Sequence, residues 1–446
     1  MTNATTVRTK HQKRATFAWA LWDWAEQPYP TIIQTFIFAT YIVGSSFGDK
    51  AANTQALATI GIIAGVAVAL MSPVIGLRSD EGGRRKFWLL VQSGVLVAIM
   101  AASFFVEPRP EFLWFGLILY GVGSVVQETA FINYYAMLKG VSHEKNMGRV
   151  SGMAWGFGYV GGIILLLLAL VGFYLGDTHW FGVTDDNAMN VRVMFLLAAA
   201  WMLVFTIPLA IWVPETRGTA NEKKTSILGS YRTVWTQLGT LRKQAPGTLR
   251  FLIASAIYRD GLAGVFTYGA ILGTVAFGFE GMDVIFFGIA ANIVAGIGAF
   301  LGGYLDDRVG TRTVIASALI GLVIAGISVF VFAGFGPITY WIGGLALCLF
   351  VGPAQASSRT FVARFTPHGR EGEVFGLYQT TGRAASFLSP SAWLISVSIA
   401  TASGVANPAL FGVIGLVFVI GVGLYLLMQV EPNPRVLNDL QDDLAV

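Results

Sequence analysis

Seven ionisable side chains lie inside stretches that are otherwise apolar: Asp23, Glu26, Glu128, Arg259, Asp260, Arg359 and Arg383. At the centre of a bilayer each would cost about 2.5–3.5 kcal/mol on insertion scales, so none is expected to face lipid. A guanidinium takes a carboxylate through a two-pronged hydrogen bond, and an acid takes an ammonium. The neighbouring rings of Trp22, Trp24, Tyr134, Tyr258 and Tyr378 offer a face to an apolar group or a cation. Arg383, Arg359, Glu26, Arg259 and these five aromatics are therefore candidates for substrate contact. The mixture suits a small zwitterion such as an amino acid or small peptide. An amphiphile such as a lysolipid, glycolipid or drug is the alternative cargo, and a sensor or lipid scramblase is the alternative without coupled transport. His11, His143, His179 and His368 all fall in tails or connections, so a coupling proton is expected on a carboxylate: Asp23, Asp260 or Glu128. Asp23 and Asp260 are expected to face one cavity. The competing reading is structural pairing, Glu26 with Arg259 or Asp23 with Arg383, with Arg359 near enough to a span end to snorkel.

These residues are carried by a chain built for the bilayer. Of its 446 residues 55% are hydrophobic and 12% charged, where a soluble domain carries about 25% charged. Apolar runs long enough to span occur at about 17–43, 55–77, 87–106, 112–138, 150–175, 192–213, 250–278, 284–305, 313–334, 338–362, 374–400 and 408–429. The basic N-terminus followed by an apolar run superficially resembles a signal peptide, but two acids and its length favour a retained first span. Pro28 and Pro30 should bend that span just beyond its acids. Twelve spans put both termini on one side. Lys and Arg number 23 in the tails and connections of that face against 3 opposite, so both termini are expected in the cytoplasm. The expected organisation is a six-helix half over 1–213, a linker over 214–249 and a second half with a short tail over 250–446. Apolar residues at 227, 228, 231, 234, 235, 238 and 241 have helical spacing and suggest an amphipathic surface helix at about 226–243.

The only cysteine, Cys348, sits in an apolar run, which excludes an intrachain disulfide. No Cys/His cluster suggests a metal, and no phosphate-binding G-x-x-x-x-G-K-[ST] is present. GFGYVG at 156–161 and GSSFG at 44–48 are chance matches in a chain with 53 glycines. No cofactor, enzymatic activity or nucleic-acid partner is expected. The expected partners are a small-molecule substrate, protons and the lipid bilayer, and the chain is expected to be a monomer.

One internal repeat stands out. GLRSDEGGRR at 76–85 and GYLDDRVGTR at 303–312 align Gly76, Asp80, Gly83 and Arg85 with Gly303, Asp307, Gly310 and Arg312 at one offset of 227. Arg84 and Arg308 add to the charge of the two loops. Matching positions in two six-helix groups indicate a duplicated transporter. Both loops resemble the signature of the major facilitator superfamily, although Arg78 stands where that signature has the leucine kept at Leu305. The resemblance implies an all-α membrane fold of two pseudo-symmetric halves, in which spans 1, 4, 7 and 10 line a central cavity. It also implies that the two loops form a latch that breaks as the protein changes the side it faces. Six of the seven embedded charges lie on those four spans, and Arg383 lies on span 11. WALWDWAEQPY, IYRDG at 257–261, VSGMAWGFGYVGG at 150–162, ASSRTFVARFTP at 356–367 and FGLYQTTGRAASFLSP at 375–390 resemble the bacterial vacuole-effluxer-like branch, related to the autophagy-linked amino-acid effluxer of fungal vacuoles. Trp22, the Glu26-Gln27 pair and Arg259 depart from that branch's pattern. The resemblance implies amino-acid efflux.

Overall fold

The computed structural model describes residues 2–174, 179–215, 229, 231–232, 236, 239 and 246–431. The expected surface helix at 226–243 lies mostly outside the described residues; Tyr231, which is described, donates to the Leu70 carbonyl at 3.0 Å.

Eleven helices among the described residues are long and apolar enough to cross a membrane. They are spans 2 to 12: Lys50–Gly82, Arg85–Ser103, Leu113–Ala136, Met147–Phe173, Met189–Trp212, Pro246–Phe277, Gly281–Val309, Thr311–Val331, Pro337–Phe365, the pair Glu371–Ala385 and Leu388–Ala402, and Gly412–Met428. Span 1 is the twelfth and is broken. Its α-helix, Thr2–Glu26, gives way to a π-helix, Tyr29–Phe36, and then to a short α-helix, Phe38–Ile42. The prolines explain the change. Each ring crowds the carbonyl four residues back and lacks an N–H, and wider i→i−5 winding, as from Ile37 N–H to the Ile32 carbonyl at 3.2 Å, relieves that conflict.

Span 11 breaks as well, at Ser386 and Phe387. Pro390 in the first turn of its upper segment has no N–H to lose from an α-helical ladder, which suits a helix start. The two six-helix halves meet where span 2 packs on span 11 and span 5 on span 8. Those contacts are closest at the end carrying the charged loops. There Gly76 lies so near the Gly372 carbonyl that a Cβ would collide with it, and a Cβ on Gly303 would likewise collide with the Gly148 carbonyl.

Candidate functional site

At mid-depth between the halves, Arg383 Nη2 pairs with Glu128 Oε1. Span 4 carries the acid and span 11 the guanidinium, three residues before its break. Gln379 Nε2 donates to the second Glu128 oxygen at 3.1 Å, and its own oxygen accepts from Arg259 Nη2 at 3.0 Å. Arg259 lies 3.8 Å over the Tyr378 ring and donates to the Tyr378 carbonyl at 3.2 Å. The pair keeps access to solvent-sized space, with side chains 34% and 20% exposed for Arg383 and Glu128. Above it, away from the charged loops, is a cavity of about 630 Å³ lined by Gln34, Tyr120, Phe266, Tyr268, Asn292 and Trp393 among others. Tyr120 is eight residues from Glu128 on span 4, about 12 Å along the helix. An apolar annex of about 510 Å³ shares Phe36, Val284, Gly288 and Asn292 with this cavity.

The other embedded charges are enclosed. Asp23 Oδ2 accepts from Arg359 Nη1 at 3.1 Å, and Arg359 also donates to the Ser151 hydroxyl at 2.9 Å and carbonyl at 2.7 Å. The rings of Trp19, Tyr134, Tyr135 and Trp155 stand 5.0–5.8 Å from this guanidinium. Arg359 therefore does not snorkel. It is 1% exposed and ties span 10 to spans 1 and 5 across the halves. Neither expected charge pair forms: Asp23 meets Arg359 rather than Arg383, and Glu26 accepts from Gln127 at 2.9 Å and Gln27 at 3.1 Å rather than from Arg259. Asp260 does not turn to Asp23 either. It accepts from the Ser389 N–H at 2.5 Å and so caps the upper segment of span 11.

Among the aromatics, only Tyr378 touches the mid-depth cluster. Trp22 is buried and donates to Ser93 at 3.0 Å, Tyr134 stacks on Trp19 with ring centres 4.4 Å apart, Tyr258 bonds Ser358 at 2.6 Å, and Trp24 stacks on Trp201 at 5.3 Å.

At the loop end each half grips the other. The Asp80 carboxylate accepts from the N–H groups of Gly372 and Glu373, both at 2.8 Å, at the start of span 11. Asp307 accepts from Gly148 N–H at 2.8 Å and Arg149 N–H at 3.0 Å, at the start of span 5. Each aspartate thus meets the positive end of a helix in the opposite half. Gly83 and Gly310, with φ of 56° and 89°, make the turns that bring these loops round.

The two grips are not copies. Arg85 pairs with Asp80 and, at 2.8 Å, with Glu371, whereas Arg312 donates to the Met428 carbonyl at 2.7 Å and leaves the latch to Arg364. Arg364 reaches Asp306 at 2.8 Å and Asp307 at 3.0 Å, drawn by Asp306, where the first loop has Ser79. Arg308 lies 4.2 Å over the Tyr304 ring instead. Lys139 donates to the Thr366 carbonyl, and burial lowers its ammonium below the ordinary lysine value.

Sequence reasoning missed Gln379, Ser151, Glu371, Arg364 and Lys139. Each looks like an ordinary polar residue until the helices are packed.

The same architecture appears in known proteins. A model of the vacuole effluxer Atg22-like family matches residues 39–435. The MFS-type transporter YxiO of Bacillus subtilis (strain 168) is 28% identical over 441 residues, covering 96% of this chain and 98% of that relative. Autophagy-related protein 22-1 of Neosartorya fischeri is 23% identical over 321 residues, 66% of this chain and 50% of the relative, so the chain spans about half the length of such fungal proteins. Among solved structures, the proton:xylose symporter XylE matches with a TM-score of 0.75 at 13% identity, over 97% of this chain and 99% of that one. The transporter FucP in the outward conformation matches at 0.69 and 12%, over 94% and 98%. The structural likenesses carry the fold and the family match carries the branch: the chain belongs to the vacuole effluxer Atg22-like family of the major facilitator superfamily of transporters.

Proposed function

We propose that this transporter moves a small zwitterionic solute, an amino acid or small peptide, by alternating access coupled to protons, in the inner membrane with both termini cytoplasmic. The observation that carries this reading is the partly exposed Glu128–Arg383 pair beneath the cavity. A zwitterion entering from above can replace that internal pair with two pairs of its own, its carboxylate on Arg383 and its ammonium on Glu128, so that neither protein charge is left bare. Arg259 and Gln379 hold the pair in register from below. The family's description as a vacuole effluxer supports outward movement of such a solute.

Alternating access follows from the two grips. When Asp80 and Asp307 release the opposite helices, spans 2 and 11 and spans 5 and 8 part, and Arg359 leaves with the second half. Asp23 then loses its guanidinium, and a proton from the opened side can take its place. Asp23 is thereby the leading proton carrier, with Glu128 and Asp260 behind it.

Counterflow in proteoliposomes tests the substrate. Labelled amino acids or dipeptides should exchange across the membrane, and Glu128→Gln should abolish the exchange. Movement of a lysolipid with no exchange of any amino acid or dipeptide would overturn the zwitterion in favour of the amphiphile.

A further inference from the structure

Spans 2 and 3 both pack on span 4 but scarcely on each other, and between them opens a groove of about 820 Å³. Its inner wall is unusually polar for a surface beside lipid. Ser79 donates to Asn133 Oδ1 at 2.7 Å, Asn133 donates to Gln92 at 2.9 Å, and Gln92 donates to Thr129 at 3.1 Å. Its mouth, at the charged-loop end, holds Arg78 and Arg84 against one carboxylate, Glu81. Neither guanidinium has a hydrogen-bond or ion-pair partner among the described residues. Trp88, 48% exposed, lines the groove one turn from Arg84, as ring side chains do at headgroup depth. Towards mid-membrane the walls become aliphatic with Met71, Val91 and Val95.

Among the described residues, the corresponding positions of the second half are occupied differently. At the repeat offset of 227, Arg78, Arg84, Trp88 and Gln92 correspond to Leu305, Thr311, Ile315 and Leu319. Ile315 and Leu319 are fully buried, so the equivalent positions are filled with packed side chains. The basic, polar groove is therefore a feature of the first half alone and does not follow from the fold.

We propose that this groove binds one anionic glycerophospholipid of the cytoplasmic leaflet, with the phosphate on Arg78 and Arg84, the glycerol region along the Gln92–Asn133 chain and an acyl tail between Met71 and Val95. Basic pockets between spans on that side suit anionic headgroups, and the aliphatic upper walls distinguish a lipid from a soluble phosphate.

Native mass spectrometry of the purified full chain, titrated with phosphatidylglycerol or phosphatidylcholine, tests it. The expected result is retention of one phosphatidylglycerol at concentrations about tenfold below those needed for phosphatidylcholine, a ratio that Arg78→Leu with Arg84→Thr, the residues of the second half, removes. Melting in detergent without added lipid should be unchanged in that variant. Should the double variant fail to fold, Arg84→Thr alone is expected to lose severalfold of the preference. Equal retention of both lipids by the unmodified protein, undiminished preference in the variants, or displacement of the lipid by soluble glycerophosphate would each overturn the proposal.

Discussion

At the residue scale, exposure divides the embedded charges into two kinds. Glu128 and Arg383 share an ion pair that is partly exposed, whereas the pair shared by Asp23 and Arg359 is enclosed between the halves. The two pairs should respond differently to substitution. Arg383→Lys retains the charge but loses the planar fork, so one of two hydrogen bonds to a bound carboxylate goes, about 1–2 kcal/mol, or roughly tenfold in affinity. Isothermal titration against the best counterflow substrate should register that loss while the melting curve stays in place; a lowered melting temperature with unchanged affinity would assign Arg383 to structure. Asp23→Asn leaves Arg359 facing a neutral amide inside the protein, and breaking a buried pair costs about 3–5 kcal/mol, so the melt should drop markedly. If Asp23 also carries the coupling proton, the folded fraction should still exchange substrate in counterflow yet fail to accumulate it under a proton gradient. Normal gradient-driven uptake would remove Asp23 from coupling. The identity and depth of these residues could be read in the sequence because a charge in an apolar run is conspicuous. Their partners could not, since the Asp23–Arg359 contact joins residues 336 apart and depends on how the halves dock. Trp155 and Tyr135, which help enclose Arg359, carry no mark in the sequence beyond being aromatic.

At the scale of elements, the informative features are breaks. The break in span 1 was legible because two prolines in one membrane run demand a local solution, although proline alone does not specify a π-helix. The break in span 11 was hidden, because 374–400 reads as one apolar run and only Pro390 hints at a new helix start. Asp260 completes it by taking the Ser389 N–H, so the residue that looked like a second proton carrier also serves as a cap. Asp260→Ala should cost about 1 kcal/mol through the lost cap, and Asp260→Asn, which still accepts, should recover most of it. Equal loss in both, read from melting curves, would mean that the negative charge rather than the acceptor is what span 11 needs. The latch is an element-scale device too. Both loops were visible as a repeat, but the exchange of Arg312 for Arg364 was not, because it turns on Asp306, which the first loop matches with Ser79. Gly76→Ala would thrust a methyl at the Gly372 carbonyl and wedge spans 2 and 11 apart. A cysteine at Ser72, buried against Gly376 and placed in a chain with Cys348→Ala, should then label faster with a maleimide than it does beside Gly76. Unchanged labelling would mean that the close approach is not what holds this end shut.

At the scale of the whole molecule, one end is gripped twice and the other holds the cavity. The halves are therefore closed at the charged-loop end and accessible at the opposite end, and which compartment each end faces decides the meaning of that state. The proposed orientation rests on charge rather than on packing. The gripped end carries the basic residues, 23 in its tails and connections against 3 on the opposite face, and such asymmetry fixes topology during insertion because cationic loops remain in the cytoplasm. The few basic residues of the far face include Arg192, which is only 5% exposed and donates to the Phe104 carbonyl at 2.6 Å. In a chain with Cys348→Ala, cysteines introduced at residues 2 and 445 should resist a membrane-impermeant maleimide in intact cells and react after permeabilisation. A cysteine at Lys50, exposed at the start of span 2, should react in intact cells. That outcome makes the described state closed to the cytoplasm, with its cavity and the Glu128–Arg383 pair open to the outside. Labelling of residue 445 but not residue 2 in intact cells would leave an odd number of crossings and sink the twelve-span topology. Reversal of all three sites would keep the fold but turn the cavity and the Glu128–Arg383 pair towards the cytoplasm.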